Sequence, residues 1–587
     1  MTGATGAARS LAPDPRAGPD VLPSPLEGEG RGAARGGRGT PPPATPASVP
    51  GGERRSPHPQ PPSPKGRGGP IPDAELPNPP RDRGGSPALA PPSFPGKGAG
   101  GFGFFFAALA LAALNFARQL PEVHSLDAVV FGDPGMALAV DAMLGEGRVP
   151  TEDFTYYYGL LGVAIDCGWY AAFGRTAAAD TGLIFACNLL VAFGLVLAAR
   201  ALDFPPAARW LLLAGIPVAV MPLRYTTPTQ ALDAVLIVHA LAFQARGKVR
   251  AAFAVAVAGV FVKSALASVY AAGLLGLILF APRPAPLRQR LRDLIPGAAG
   301  GLVIGGMLAA WFGWGPLLKT LYPVAGMKTY AGGQFGFFFG GGRGFWLRES
   351  FDPAYYLFGP AGFWLLATAA TLAAVPGLAR ARRDPRAVVT LTVAALHAVF
   401  VCFLFGNDQS WAYYSFLPVL GACAAVARWD AAGACPRWLR FGLPAVAVCG
   451  WVGFAVHGTV LWRGNVRTEA TGGLFAPPDD AAAWGRVRGL AKAERVLVLT
   501  PSGAGRVLFP ELDSVRSWAL IPAVATPAEI ADLLARLRTA DVVVLHPVSS
   551  SLFGRWPPFA AELAAFEADP AATGAAGFRV LRRAGGR

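Results

Sequence analysis

The sequence predicts a polytopic α-helical membrane protein, with about eleven transmembrane helices set between a disordered N-terminal tail and a small C-terminal α/β domain. Three observations predict it. Of 587 residues, 53% are hydrophobic and 15% charged, an apolar excess over soluble chains. The excess is concentrated between residues 101 and 461, where stretches such as 101–120, 294–312 and 441–461 approach the roughly 20 apolar residues that a helix needs to cross a hydrocarbon core. Basic residues fall in short clusters between these stretches, which is how membrane topology is encoded.

Residues 1–98 are rich in Pro, Gly and Arg, with almost no aromatic or β-branched side chains. Such a segment buries too little surface to offset its ordering entropy, so it is expected to be disordered and cytoplasmic. The first apolar run begins about a hundred residues in and lacks a small-residue cleavage site, so it is expected to stay as an anchor. A net charge of +15 raises nucleic acid as a partner, but its distribution in short inter-span clusters excludes that reading.

With the tail inside, the clusters Arg200/Arg209, Arg246/Lys248/Arg250, Arg283/Arg288/Arg290/Arg292, Arg380/Arg382/Arg383/Arg386 and Arg428/Arg437/Arg440 all fall inside. This requires residues 156–173, which include Asp166, to lie along the outer surface rather than cross. Two outer loops, 121–176 and 313–352, are longer than connections need to be. The first is acidic (Glu122, Asp127, Asp133, Asp141, Glu146, Glu152, Asp153) and the second basic (Lys319, Lys328, Arg343, Arg348). Five of the six cysteines lie in apolar stretches and Cys435 in a basic loop. None has metal-ligand spacing, and all read as packing residues.

Residues 463–587 change to an α/β pattern, with strands at VLVLT from Val496 and DVVVLHP from Asp541. Thr526, Pro527 and Glu529 mark a helix start by N-cap, first-turn proline and capping box. The last span exits outward, so this domain is expected on the outer face. Its PSGAGR segment from Pro501 matches neither glycine-rich nucleotide fingerprint, and Ser549, Ser550 and Ser551 have no convincing His partner for nucleophilic catalysis.

The chemistry is concentrated in the first outer loop, GDPGMALAVDAMLGEGRVPTEDFTYYYGLLGVAIDCGWYAAFGRT from Gly132. It resembles the GT-C superfamily of membrane glycosyltransferases, which includes protein mannosyltransferases and lipid A aminoarabinose transferases. Asp133 matches that family's juxtamembrane acid, Gly147 and Pro150 its Gly-x-x-Pro turn, Asp153 and Phe154 its Asp-Phe, and Tyr156, Tyr157, Tyr158 and Gly159 its aromatic run. VAGVFVKSALASVY around Lys263 and NDQSWAYYSFLP from Asn407 are similar to downstream segments of these enzymes. The resemblance implies a polyprenyl-phosphate sugar as donor, inversion at the anomeric carbon and an envelope lipid, glycan or protein as acceptor, at the outer face of the plasma (inner) membrane. It implies no particular metal.

Such a transfer needs a carboxylate to deprotonate the acceptor and cations to steady the departing phosphate. Asp133 is the candidate base and Asp153 a second acid. Lys263, Arg343 and Arg348 are candidates for the phosphate, with Tyr157 and Tyr158 lining the substrate. Each has a plainer alternative. Asp133 could cap a helix starting at Pro134, and Asp153 could be structural. Lys263 could snorkel, Arg343 and Arg348 could be solvated, and the tyrosines could be interfacial anchors. A secondary transporter using Asp166, Asp233 and Lys263 is the rival from another class, and a non-catalytic envelope scaffold is the third reading.

Overall fold

A computed structural model describes residues 99–219, 226–280, 286–322, 360–380, 384–399, 414–521, 524–546, 550, 552–569 and 578–585. The N-terminal tail, Arg343 and Arg348 lie outside the described residues. Helix α1 (Ala99–Val123) leads into a π-turn (Asp127–Phe131) and two short helices, α2 (Met136–Gly145) and α3 (Leu160–Phe173). Then come α4 (Ala177–Ala201), α5 (Pro206–Ala219), α6 (Pro228–Ala245), α7 (Val249–Val262), α8 (Ser264–Phe280), α9 (Leu287–Phe312) and α10 (Trp314–Leu321). The bundle continues with α11 (Pro360–Arg380), α12 (Pro385–Val399), α13 (Phe416–Ala431) and α14 (Leu443–Gly464).

The protein is a multi-pass membrane protein. Among the described residues, Gly103–Val123, Ala177–Ala201, Leu287–Phe312 and Trp438–Gly464 are long and apolar enough to cross a bilayer, and further apolar helices are shorter. Large apolar side chains stand exposed along α9 (Leu302, Met307, Trp311) and α14 (Val452, Val456, Val460), a surface that water would not tolerate and lipid does. Inside the bundle some polar groups satisfy one another. Asn115 donates to the Pro217 carbonyl at 3.0 Å, and Tyr270 donates to Gln244 at 2.8 Å.

The apolar run around Lys263 is not one continuous span. The structure divides it into α7 and α8, packed side by side, with Lys263 extended (φ −153°, ψ 107°) at the turn between them. The reason is a competing partner, because the Val262 carbonyl accepts from Gly159 N–H at 2.9 Å. That approach is so close that a Cβ on Gly159 would sit 2.0 Å from the Phe261 carbonyl oxygen.

Beyond α14, strands β1 (Val466–Arg467) and β2 (Phe475–Ala476) form a small antiparallel ribbon, followed by α15 (Pro478–Leu490). Then come β3 (Val496–Leu499), α16 (Ala504–Leu508), β4 (Asp513–Ser514), α17 (Pro527–Thr539), β5 (Val542–Leu545), α18 (Pro557–Leu563), β6 (Phe566–Ala568) and β7 (Arg579–Arg583). The five strands pair in the order β4-β3-β5-β7-β6, with β3 parallel to β4 and β5, and β7 antiparallel to β5 and β6.

Alternation along the buried strands sorts two cores. Leu497, Leu499, Val543, Leu545 and Leu581 pack against Leu533 and Leu537 of α17 and Phe559 of α18. Val496, Val498, Val542, Val544 and Val580 share the opposite core with Leu126, Val129, Val130, Phe131 and Leu138 of the first loop. One face of the C-terminal sheet is thus closed by the chain immediately after α1. Residues Lys97–Arg587 accordingly form one compact unit.

Candidate functional site

Asp133 follows the π-turn and precedes α2. It caps nothing: α2 has Gly135 as its N-cap and no side-chain capping bond. Among the described residues its half-buried carboxylate makes no hydrogen bond or ion pair. Burial lifts the carboxyl from the ordinary carboxylate range to about 6, against a counter-pull from the Lys263 ammonium.

Lys263 is the hub. Its ammonium lies 5.1 Å from the ring centroid of Tyr158 and 5.8 Å from that of Tyr414, just before α13. It interacts electrostatically with both Asp133 and Asp233. Asp233 is fully buried on α6 and accepts a hydrogen bond from the Tyr414 hydroxyl. Gln230, one turn earlier, donates to the Tyr158 hydroxyl at 3.3 Å. Gln230 also completes a capping box with Thr227, which ties the start of α6 to the same cluster.

Five groups therefore converge from separate stretches of chain: Asp133 and Tyr158 from the first loop, Asp233 from α6, Lys263 from the α7–α8 turn and Tyr414 from just before α13. A buried charge in an apolar bundle is costly and is kept where it has a partner or a task. Here one ammonium interacts electrostatically with two carboxylates, and one of them, Asp133, is free of hydrogen bonds among the described residues. Such a carboxylate can accept a proton, and the ammonium beside it can stabilise a developing anion.

The other sequence candidates are placed as follows. Asp153 is exposed, and its carboxylate accepts from Val149 N–H at 2.6 Å while its carbonyl accepts from Arg148 at 2.5 Å. It closes the turn that carries Gly147 and Pro150, and no hydrogen bond or ion pair joins it to Asp133 or Lys263. Tyr157 packs on Trp518 with ring centroids 4.6 Å apart, and Tyr156 and Tyr158 lie 4.8 Å and 4.9 Å from the same indole. Lys319 of α10 donates to the Thr151 carbonyl of the first loop at 3.3 Å. Asp166 is buried on α3 and faces a small cavity shared with Tyr156, Tyr158, Thr229 and Trp518.

Sequence reasoning treated Asp233 only as a transporter feature and Glu529 only as a capping residue, and it missed Trp518 altogether. A carboxylate within an apolar helix was the available signal for Asp233. Trp518 has no local signature, because its partners are some 360 residues away in the chain, as the Thr155 to Glu529 separation of 374 indicates.

No family model matches the chain, and no curated protein matches it in sequence. Among solved structures it is similar to the crystal structure of ArnT from Cupriavidus metallidurans bound to undecaprenyl phosphate. The identity is 15% and the TM-score 0.46, over 82% of this chain and 98% of that one. It is also similar to the apo crystal structure of the Archaeoglobus fulgidus oligosaccharyltransferase, with 13% identity and a TM-score of 0.41, over 80% of this chain and 74% of that one.

Proposed function

We propose that the chain is an integral membrane glycosyltransferase that moves a sugar from a polyprenyl-phosphate donor to an envelope acceptor at the outer membrane boundary. The observation that carries this reading is the convergence of Asp133 and Lys263. A carboxylate without hydrogen bonds among the described residues stands in the first loop, beside an ammonium held where two apolar helices turn. A donor whose phosphate is attached to a hydrocarbon chain brings its reactive group to that depth.

In the reaction, an acceptor O–H or N–H group approaches the anomeric carbon from the face opposite the phosphate. Asp133 takes the proton as the new bond forms. The anomeric C–O bond to phosphate breaks with its electron pair, leaving a polyprenyl phosphate whose added charge Lys263 stabilises. Asp233 and Tyr414 hold Lys263 in place. Asp153 serves the loop's turn rather than the proton transfer. Attack opposite the leaving group inverts the anomeric centre.

The test is transfer by purified protein in lipid, supplied with labelled polyprenyl-phosphate sugars and envelope lipid extract. Asp133→Asn is expected to lower the rate by at least about 100-fold without loss of fold. A well-folded wild type that consumes no donor across a broad panel would overturn the reading, and uptake in sealed vesicles would then test the transporter.

A further inference from the structure

We infer that the C-terminal domain is part of the transfer machinery: Glu529 is a positioning residue that pins the tyrosine run of the first loop, and Trp518 closes over that run. This rests on the glycosyltransferase reading of the same site. The Glu529 carboxylate is buried and takes five donors. From its own helix start it takes Thr526 N–H and the Thr526 hydroxyl, both at 2.9 Å. From the neighbouring loop it takes the Ser517 hydroxyl at 2.6 Å. From the first loop it takes Thr155 N–H at 3.0 Å, and the Thr155 hydroxyl at 2.8 Å, whose single proton it shares with the Val524 carbonyl, also at 2.8 Å.

Thr155 immediately precedes Tyr156, Tyr157 and Tyr158, and all three rings pack around Trp518, two residues from Arg516, whose carbonyl accepts from Arg148 at 2.8 Å. Tyr158 in turn faces the Lys263 ammonium. Glu529 therefore acts on Lys263 at one remove, by fixing where the Tyr158 ring stands. A carboxylate suits the task because every one of its partners donates. A glutamine would have to turn an N–H₂ group toward some of those donors.

The test uses full-length protein in lipid, with Glu529→Gln and Thr155→Val compared with wild type. Thr155→Val removes the loop's hydroxyl and leaves the α17 cap intact, so it remains informative if Glu529→Gln folds poorly. For either variant kcat is expected to fall about tenfold or more, with the donor KM changed less than about threefold, since misplacing a site by about 1 Å has that scale of effect. The double variant should be little worse than the worse single one, because both break one clamp. Deuterium uptake over residues 154–159 should rise in both variants without any substrate present.

Wild-type kcat in folded variants, or unchanged uptake over those residues, would overturn the inference. Should the wild type consume no donor, the exchange measurement still decides the clamp, and the inactivity counts against the glycosyltransferase reading alone.

Discussion

The Asp133 carboxyl must lose its proton before it can take one from an acceptor, and burial has moved that loss to about pH 6. Transfer rates measured from pH 5 to pH 8 are expected to fall as pH drops through about 6 and to level off above it. Stability runs the other way. A carboxyl raised in the fold binds its proton more tightly there than in the unfolded chain, so its contribution is full below the ordinary value of 3.8 and is lost as pH rises through about 6. Asp133→Asn mimics the protonated form. Its Tm should therefore match wild type below about pH 4, exceed it by an amount that grows as pH rises to about 6, and keep a constant lead above that, as differential scanning fluorimetry would read. At Lys263, substitution by Met keeps the stem and removes the charge. Retention of labelled polyprenyl phosphate should weaken roughly 30-fold or more, with part of that loss coming from the carboxylates left unpaired.

Among the elements, the α7–α8 turn and the aromatic run of the first loop depend on each other through Gly159. Any side chain there meets the Phe261 carbonyl, and helix backbone has no rotamer with which to yield. Gly159→Ala is expected to cost about 2–3 kcal/mol, seen as a lowered urea or thermal midpoint in detergent. Sequence patterns read these elements unevenly. The α17 start was legible, because Thr526, Pro527 and Glu529 signal locally and the structure forms that capping box. The strands VLVLT and DVVVLHP were also legible, as continuous apolar runs that match β3 and β5 within a residue or two. The division at Lys263 was not, since both halves are apolar and the Gly159 partner that favours the turn lies about a hundred residues upstream. Asp133 and Lys263 could each be picked out from the sequence by residue type. Their pairing with Asp233 and Tyr414 could not, because nothing local encodes contacts between helices far apart in the chain.

At the scale of the whole molecule, the last turns of α1 and α14 meet: Trp462 donates to the Ala117 carbonyl at 3.0 Å, and beyond them Phe475 N–H donates to the His124 carbonyl at 3.0 Å. Both helices therefore end on the side that carries the first loop and the C-terminal domain. An even number of crossings must separate those two ends. Among the described residues, the ten helices α4–α9 and α11–α14 are an even number, as that condition requires if each of them crosses and α2 and α3 stay at the surface. Reporter fusions made after Arg292 and after Leu461 are expected to lie on opposite sides of the membrane, and agreement between them would overturn the arrangement.

Thr155 and Glu529 are 374 residues apart in the chain. At roughly 5–20 residues per second, synthesis of that interval takes roughly 20–75 s. For that time the first loop stands outside the membrane with its tyrosines unroofed and with Val129, Val130 and Phe131 lacking the sheet they will cover. Biogenesis thus has a vulnerable interval built into the order of the gene, during which a membrane-associated chaperone or protease can compete for the loop. A ribosome that stalls within the later helices prolongs it.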